Sequence, residues 1–198
     1  MKTKIIAILS FLLVCSSSFT LNEVKPHFVG EIYGGGIVFF VEKNGNHGLV
    51  ASLEDVCKDV PWASQPAPAI PFPNLPKFAS ARTRRTFASE VDGLYNTKMI
   101  IKSGYENSAA WNCSNYSSDT FHDWYLPALD ELKDLIDSKA LINQILGDST
   151  NNFEPLSDSY WTSTNTELSP NGTWAYKSRF ELINMHTNRL NVRAIRKF

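Results

Sequence analysis

The chain has 198 residues, 43% of them hydrophobic and 20% charged, with a formal net charge of −1. Those values exclude a bulk-disordered polymer, and they exclude a protein that coats nucleic acid through general positive charge, so any polyanion would have to meet a local patch. The length fits one domain behind a leader.

The leader comes first. Lys2 and Lys4 precede an apolar run from Ile5 to Val14 that is too short to span a bilayer as a helix. Ser16, Ser17 and Ser18 supply the small residues of a cleavage site, so residues 1–18 read as a secretory signal peptide. Its removal takes the net charge to about −3, because Lys2 and Lys4 leave with it. A lipoprotein acylated at Cys15 is the weaker alternative, since branched Val14 stands where a small residue is expected. Residues 19–28 read as a short tether and 29–198 as a single domain, secreted or held in the cell envelope, in the periplasm or on the outer surface. No later segment is long and apolar enough to cross a membrane.

Gly34-Gly35-Gly36 predicts a turn, and Ile37 to Val41 predicts a buried strand. Asn44-Gly45-Asn46 then predicts a hairpin into Leu49-Val50-Ala51. Six of the ten prolines fall between Val60 and Pro76, which makes an extended surface loop, pinned by Trp62 as a core anchor. Ala79 to Lys102 is helical in composition, with an interruption at Gly93, a second N-cap at Asn96-Thr97 and an end at Gly104. Another helix follows Pro127: Leu129, Leu132, Leu135 and Ile136 share one face, and Asp130, Glu131, Lys133 and Asp134 the other. With Ala128 before that helix, the capping box with Glu131 is lost. From Tyr160 onward the chain returns to strands, with Trp174–Phe180, Glu181–Met185 and Leu190–Ile195 alternating between Asn-rich turns.

With Cys15 gone, Cys57 and Cys113 form an even pair in an oxidising compartment, and a disulfide between them is expected. It would close a long loop and contribute about 4 kcal/mol in the chain-entropy model. The case for catalysis is thin. His47, His122 and His186 are scattered, Cys113 has no nucleophile context, and no HExxH or GxSxG string occurs. The chain therefore reads as no enzyme, with no cofactor and no metal site.

Four strings stand in fixed order. Gly35-Gly36-Ile37-Val38-Phe39-Phe40-Val41 runs on to Asn46-His47-Gly48-Leu49-Val50, and Asp123-Trp124-Tyr125-Leu126-Pro127 runs into Glu131-Leu132. Tyr160-Trp161-Thr162-Ser163-Thr164 follows, and Val192-Arg193-Ala194-Ile195-Arg196-Lys197-Phe198 ends the chain. Together they resemble the C-terminal domain family of the Legionella collagen-like adhesin, over roughly residues 29–198. The resemblance implies an α+β fold of the C-type-lectin-like superfamily: a twisted, mainly antiparallel sheet with two principal helices and long loops. The Gly-X-Y stalk of that adhesin is absent, so its trimerisation is not implied.

Under this resemblance the function is that of an exported bacterial adhesin-like binding domain that recognises glycans, sulfated ones included. Many C-type lectins hold sugar through calcium, but here Glu154-Pro155 is followed by Leu156, and the sugar is expected to bind without calcium. The stretch between the last two strings often displays ligand-facing residues in such folds. Here it carries Trp174, Tyr176, Lys177, Arg179, His186, Asn188 and Arg189. Arginine forks suit sulfate or carboxylate, and aromatic faces suit sugar rings. Lys177 and Arg179 would share a strand face, with Arg189 joining from the next strand. The partner would be a glycan or a host or cell-surface polyanion; nucleic acid is excluded, and the oligomeric state is left open. Arg82, Arg84 and Arg85 form the one dense basic cluster. Arg193 and Arg196 read as structural, paired with acids such as Asp123 or Glu131. The alternative function is a structural or protein-interaction module of the cell envelope with no carbohydrate ligand.

Overall fold

The computed structural model describes residues 25–63, 88–148, 150, 153–165 and 172–198. The expected signal peptide with Cys15, most of the tether, most of the proline-rich loop and Arg82, Arg84 and Arg85 lie outside the described residues. The glycine turn and hairpin form as their local sequence dictates: β1 (Ile32–Tyr33), β2 (Gly36–Val41) and β3 (Gly48–Ser52) run antiparallel in order. β4 (Cys57–Val60) follows, then the helices α1 (Gly93–Lys102), α2 (Ala109–Asn115), α3 (Leu129–Asp137) and α4 (Lys139–Leu146). The chain ends in β5 (Ser159–Asn165), β6 (Gly172–Lys177), β7 (Phe180–Asn184), β8 (Leu190–Val192) and β9 (Ile195–Lys197).

The architecture is α+β, with two sheets where one was expected. The first has the order β1-β2-β3-β9 and the second β4-β8-β5-β6-β7. Pairing is antiparallel throughout except between β5 and β8, which run parallel at Tyr160 and Asn191. Among the described residues there are four short helices in place of two principal ones. α1 starts at Gly93, capped by Asp92, whose side chain accepts from the Tyr95 N–H. Asn96 and Thr97 do not cap a second helix. Both are buried inside α1, because their side chains bond across to other segments: Asn96 to Ser89 and Ser163, Thr97 to the Leu126 N–H. The last helical residue is Lys102, with Ser103 as C-cap, and Gly104 ends the helix as expected: at a φ of 84° its N–H bonds Ile101 O while that of Tyr105 bonds Ile100 O.

The family-like strings interlock. Tyr125 bonds Ile195 through both backbone groups, which ties the 123–127 segment to β9. Pro127 O accepts from the Ser163 N–H, and Thr164 Oγ1 accepts from the Leu129 N–H, so β5 closes the start of α3. Trp161 and Trp62 exchange indole bonds with the opposite backbones, to Val60 O at 2.8 Å and Thr162 O at 2.9 Å. Trp62 is thus the core anchor expected of it. Trp124, Leu126, Trp161 and Ile195 are all buried. Alternation along Trp124-Tyr125-Leu126 sends the outer two into one apolar cluster with Trp161 and Val38, and Tyr125 into a second with Ile37, Leu132 and Tyr160.

Both terminal arginines are structural. Arg193 is fully buried, its Nε 2.8 Å from Asp55 Oδ1, and it also donates to the carbonyls of Ser52 and Glu154. Arg196 grips Asp123 with two bonds, at 2.6 and 2.9 Å, and stacks its guanidinium 4.1 Å over the Phe121 ring. That pair holds the Asp123 carboxyl below its ordinary range.

The expected Cys57–Cys113 bridge is not formed in this structure, where both are free thiols. Cys57 opens β4, and Cys113 is buried within α2 in the same apolar cluster, where burial first and Cys57 second push its thiol well up. A neutral buried thiol there packs as a small apolar side chain.

Removing one member of a buried ion pair strands the other. Arg193→Met should therefore lower stability by about 3–5 kcal/mol in urea unfolding. A loss below about 1 kcal/mol would contradict the structural role given to Arg193.

Candidate functional site

The expected ligand residues are not drawn into one cationic face. β6 ends at Lys177, so Arg179 sits in the turn before β7 and not two residues along the same strand. Ser178 takes a positive φ of 58°, which turns the chain there. Arg189 precedes β8, and β5 lies between β8 and β6. Each arginine already faces an acid: Arg179 lies 3.4 Å from Glu181, and Arg189 lies 3.2 Å from Asp59. Such exposed pairs contribute little to stability, but they cancel the local charge that a sulfate would need.

The other residues of that stretch serve the sheet and its turns. Tyr176 is half-buried against Phe180 at 5.1 Å. Asn188 donates to Asn184 O within the turn after β7. Trp174 is half-buried, and its Nε1, like His186 Nδ1, is buried with no partner among the described residues.

A cavity of about 490 Å³ lies elsewhere, between the β2–β3 hairpin, the C-terminal strand and the start of α3. Its apolar surface comes from Phe40, Leu49, Val91 and Phe198, and its carboxylates from Glu42, Asp130, Glu131 and Asp134. His47 and Lys197 complete the polar rim.

Local backbone features put these groups in place. The β2–β3 register slips between Val38 and Phe40, so Val38 faces Val50 and Phe40 faces Leu49. This bulge lets Phe39 stay buried in the core while Phe40 turns outward, 38% exposed. Gly48 permits the close approach of Phe198: a Cβ there would lie 2.1 Å from Phe40 O and 2.8 Å from the Phe198 ring. The Phe198 carbonyl accepts from His47 Nδ1–H at 3.2 Å and from the Gly48 N–H at 3.3 Å. Its ring is braced by Tyr33 and His27, with centroids 5.4 and 4.9 Å away.

On the opposite wall stands α3. Glu131, expected on the solvent face, is buried. Its Oε2 accepts from the N–H groups of Ala128 at 2.9 Å and Gly93 at 3.0 Å, and its Oε1 accepts from the Tyr125 hydroxyl at 3.0 Å. Half of the capping box therefore survives without a side-chain acceptor at Ala128, and the same carboxylate also closes the start of α1. Burial pushes the Glu131 carboxyl up against these donors. Asp134 is pushed up as well, by partial burial first and then by Asp130 and Asp137. Lys197 lies 3.7 Å from Asp92, so part of its charge is already answered.

No family model and no curated protein matches this chain. Among the described residues, no group of three or more His, Cys, Asp or Glu could hold a metal ion, and no helix is long and apolar enough to cross a membrane.

None of the cavity residues was singled out as a ligand contact from sequence. The acidic first turn of α3 was visible, but it reads equally well as a helix-dipole preference. The bulge that exposes Phe40 leaves no mark in an apolar run.

Glu131 offers a sharp test. Glu131→Ala strands three buried donors and should cost about 3 kcal/mol, whereas Glu131→Gln keeps an acceptor and should cost less than half of that. The pH dependence has a fixed sign. The folded carboxyl holds its proton above the ordinary value of 4.5, so its contribution to stability is complete below that pH and declines as pH rises through the folded value. Urea unfolding across this window should show a steeper declining limb in the wild type than in Glu131→Gln, where Asp55 and Asp134 still contribute with the same sign.

Proposed function

We propose that the chain is an exported adhesin-like binding domain of the C-type-lectin-like superfamily that recognises glycans without calcium, and that the glycan sits in the cavity beside Phe40 and Phe198. The observation that carries this reading is the pairing of aromatic surface with carboxylates in one concave site. Ring faces cover the C–H faces of a sugar, and a carboxylate accepts from two hydroxyls at once. The family-like strings support it as well, since they supply both the buried scaffold and part of the cavity wall, through Phe40, Leu49, Glu131 and Phe198. Concave sites lined by apolar groups with a few fixed polar ones are the usual form of small-ligand sites.

A cell-envelope protein-interaction module is the second reading, and one observation favours it. Phe28, Ile32, Tyr33 and Leu141 are exposed, and β1 is the two-residue edge of its sheet.

A glycan array probed with the purified protein, with and without chelator, separates the two. Glycan binding should survive chelation, fall by at least about tenfold in Phe40→Ala, and stay within about twofold in the Lys177, Arg179 and Arg189 triple alanine variant. Loss in the triple variant with Phe40→Ala unaffected would move the site to the strand face. An array with no bound glycan would favour the interaction module.

A further inference from the structure

The cavity carries a charge that selects among sugars. Glu42 is exposed on its rim, Asp130 and Asp134 stand one helical turn apart on α3, and the lysine that lines it, Lys197, faces Asp92. A sulfate or uronate entering here would meet carboxylates from two walls. An ammonium group would meet acceptors from the same two walls, with Phe40 and Phe198 beneath the ring that bears it. Charge complementarity therefore favours a cation, and the aromatic floor favours a cation carried on a flat, partly apolar body.

We infer that the cavity takes amino sugars with a free amine, held between the carboxylates of Glu42 and Asp134 over the Phe40 and Phe198 rings. This rests on the glycan reading above and narrows it to one chemical class. Asp134 agrees with it: partial burial first, then Asp130 and Asp137, push its carboxyl up, only Lys133 acts the other way, and a bound cation would favour its charged form. The contact involves no bond making. It exchanges water around an ammonium for carboxylate oxygens in a partly dry site, where such charge-assisted hydrogen bonds are the stronger kind. Acetylation of the amine removes both the charge and two donors, so the N-acetyl sugar should bind less well. Screening by salt should weaken the amino form and leave the N-acetyl form nearly unchanged.

The test is calorimetric titration of the purified protein at about pH 6, where a typical amine is protonated. The probes are tetramers of glucosamine and of galactosamine, their fully N-acetylated counterparts and a heparin tetrasaccharide, each at low and high salt. An amino tetramer should bind at least about tenfold tighter than its N-acetylated counterpart at low salt, and the preference should shrink at high salt. In Glu42→Gln with Asp134→Asn, both substitutions that keep shape, the preference should fall to within about twofold, with thermal unfolding confirming the fold. Equal or tighter binding of the N-acetylated tetramers would overturn the inference and leave the glycan reading standing. Binding of heparin alone would overturn it in favour of a cationic surface. Binding of none of the five would overturn both.

Discussion

The Glu131 carboxylate is the point on which helices and cavity both depend. One oxygen closes the starts of α1 and α3 through Gly93 and Ala128, and the other receives the Tyr125 hydroxyl. The approach is tight. A Cβ on Gly93 would stand 2.5 Å from that carboxylate, which explains a glycine at the first residue of a helix better than any propensity argument. Helix starts leave orphan N–H groups, and here two starts share one acceptor that also borders the cavity. Scaffold and site are thus joined at a single side chain.

Around it the family-like strings act on one another. The 123–127 segment lies between β9 and α3, β5 bonds back to Pro127 and Leu129, and the second sheet reaches the first through the Arg193 pocket. Much of this bonding runs from a side chain to distant backbone, which specifies position more than it adds net stability. The buried Arg193–Asp55 pair has the same character. Burial pushes Asp55 up, against the guanidinium beside it, so the pair is a poor source of energy and a strong constraint on register. A scaffold pinned in this way can hold Phe40 and Phe198 at fixed separation from α3, as a preorganised site requires.

What could be read from the chain follows the range of the interactions involved. The β2–β3 hairpin was legible because its turn and apolar runs are adjacent in sequence. The Leu129, Leu132 and Leu135 face of α3 was legible from helical spacing, and the role of Trp62 from its place at the edge of a proline-rich segment. α2 and α4 were missed because each is under three turns long, and Ser108 and Ser138 give little signal in polar surroundings. The five-stranded second sheet depends on the parallel β5–β8 pair, which joins β4 and β8 to β5, β6 and β7 and which no local pattern encodes. Lys177, Arg179 and Arg189 look like a patch when acids are ignored; Glu181, two residues from Arg179, answers one charge locally, and Asp59 reaches Arg189 only through the fold. The cavity was the least legible part, since it draws on separate stretches around Phe40, Val91, Asp130 and Phe198 and on a bulge at Phe39.

The central claim is that recognition takes place at this cavity and not on the β6–β8 face. Amide chemical-shift mapping tests it most directly, with the isotope-labelled protein titrated with the tightest-binding glycan. The account predicts perturbations that cluster at Phe40, Gly48, Val91, Asp134, Lys197 and Phe198, while Lys177, Arg179 and Arg189 stay still. Perturbations confined to residues 174–189 would contradict it.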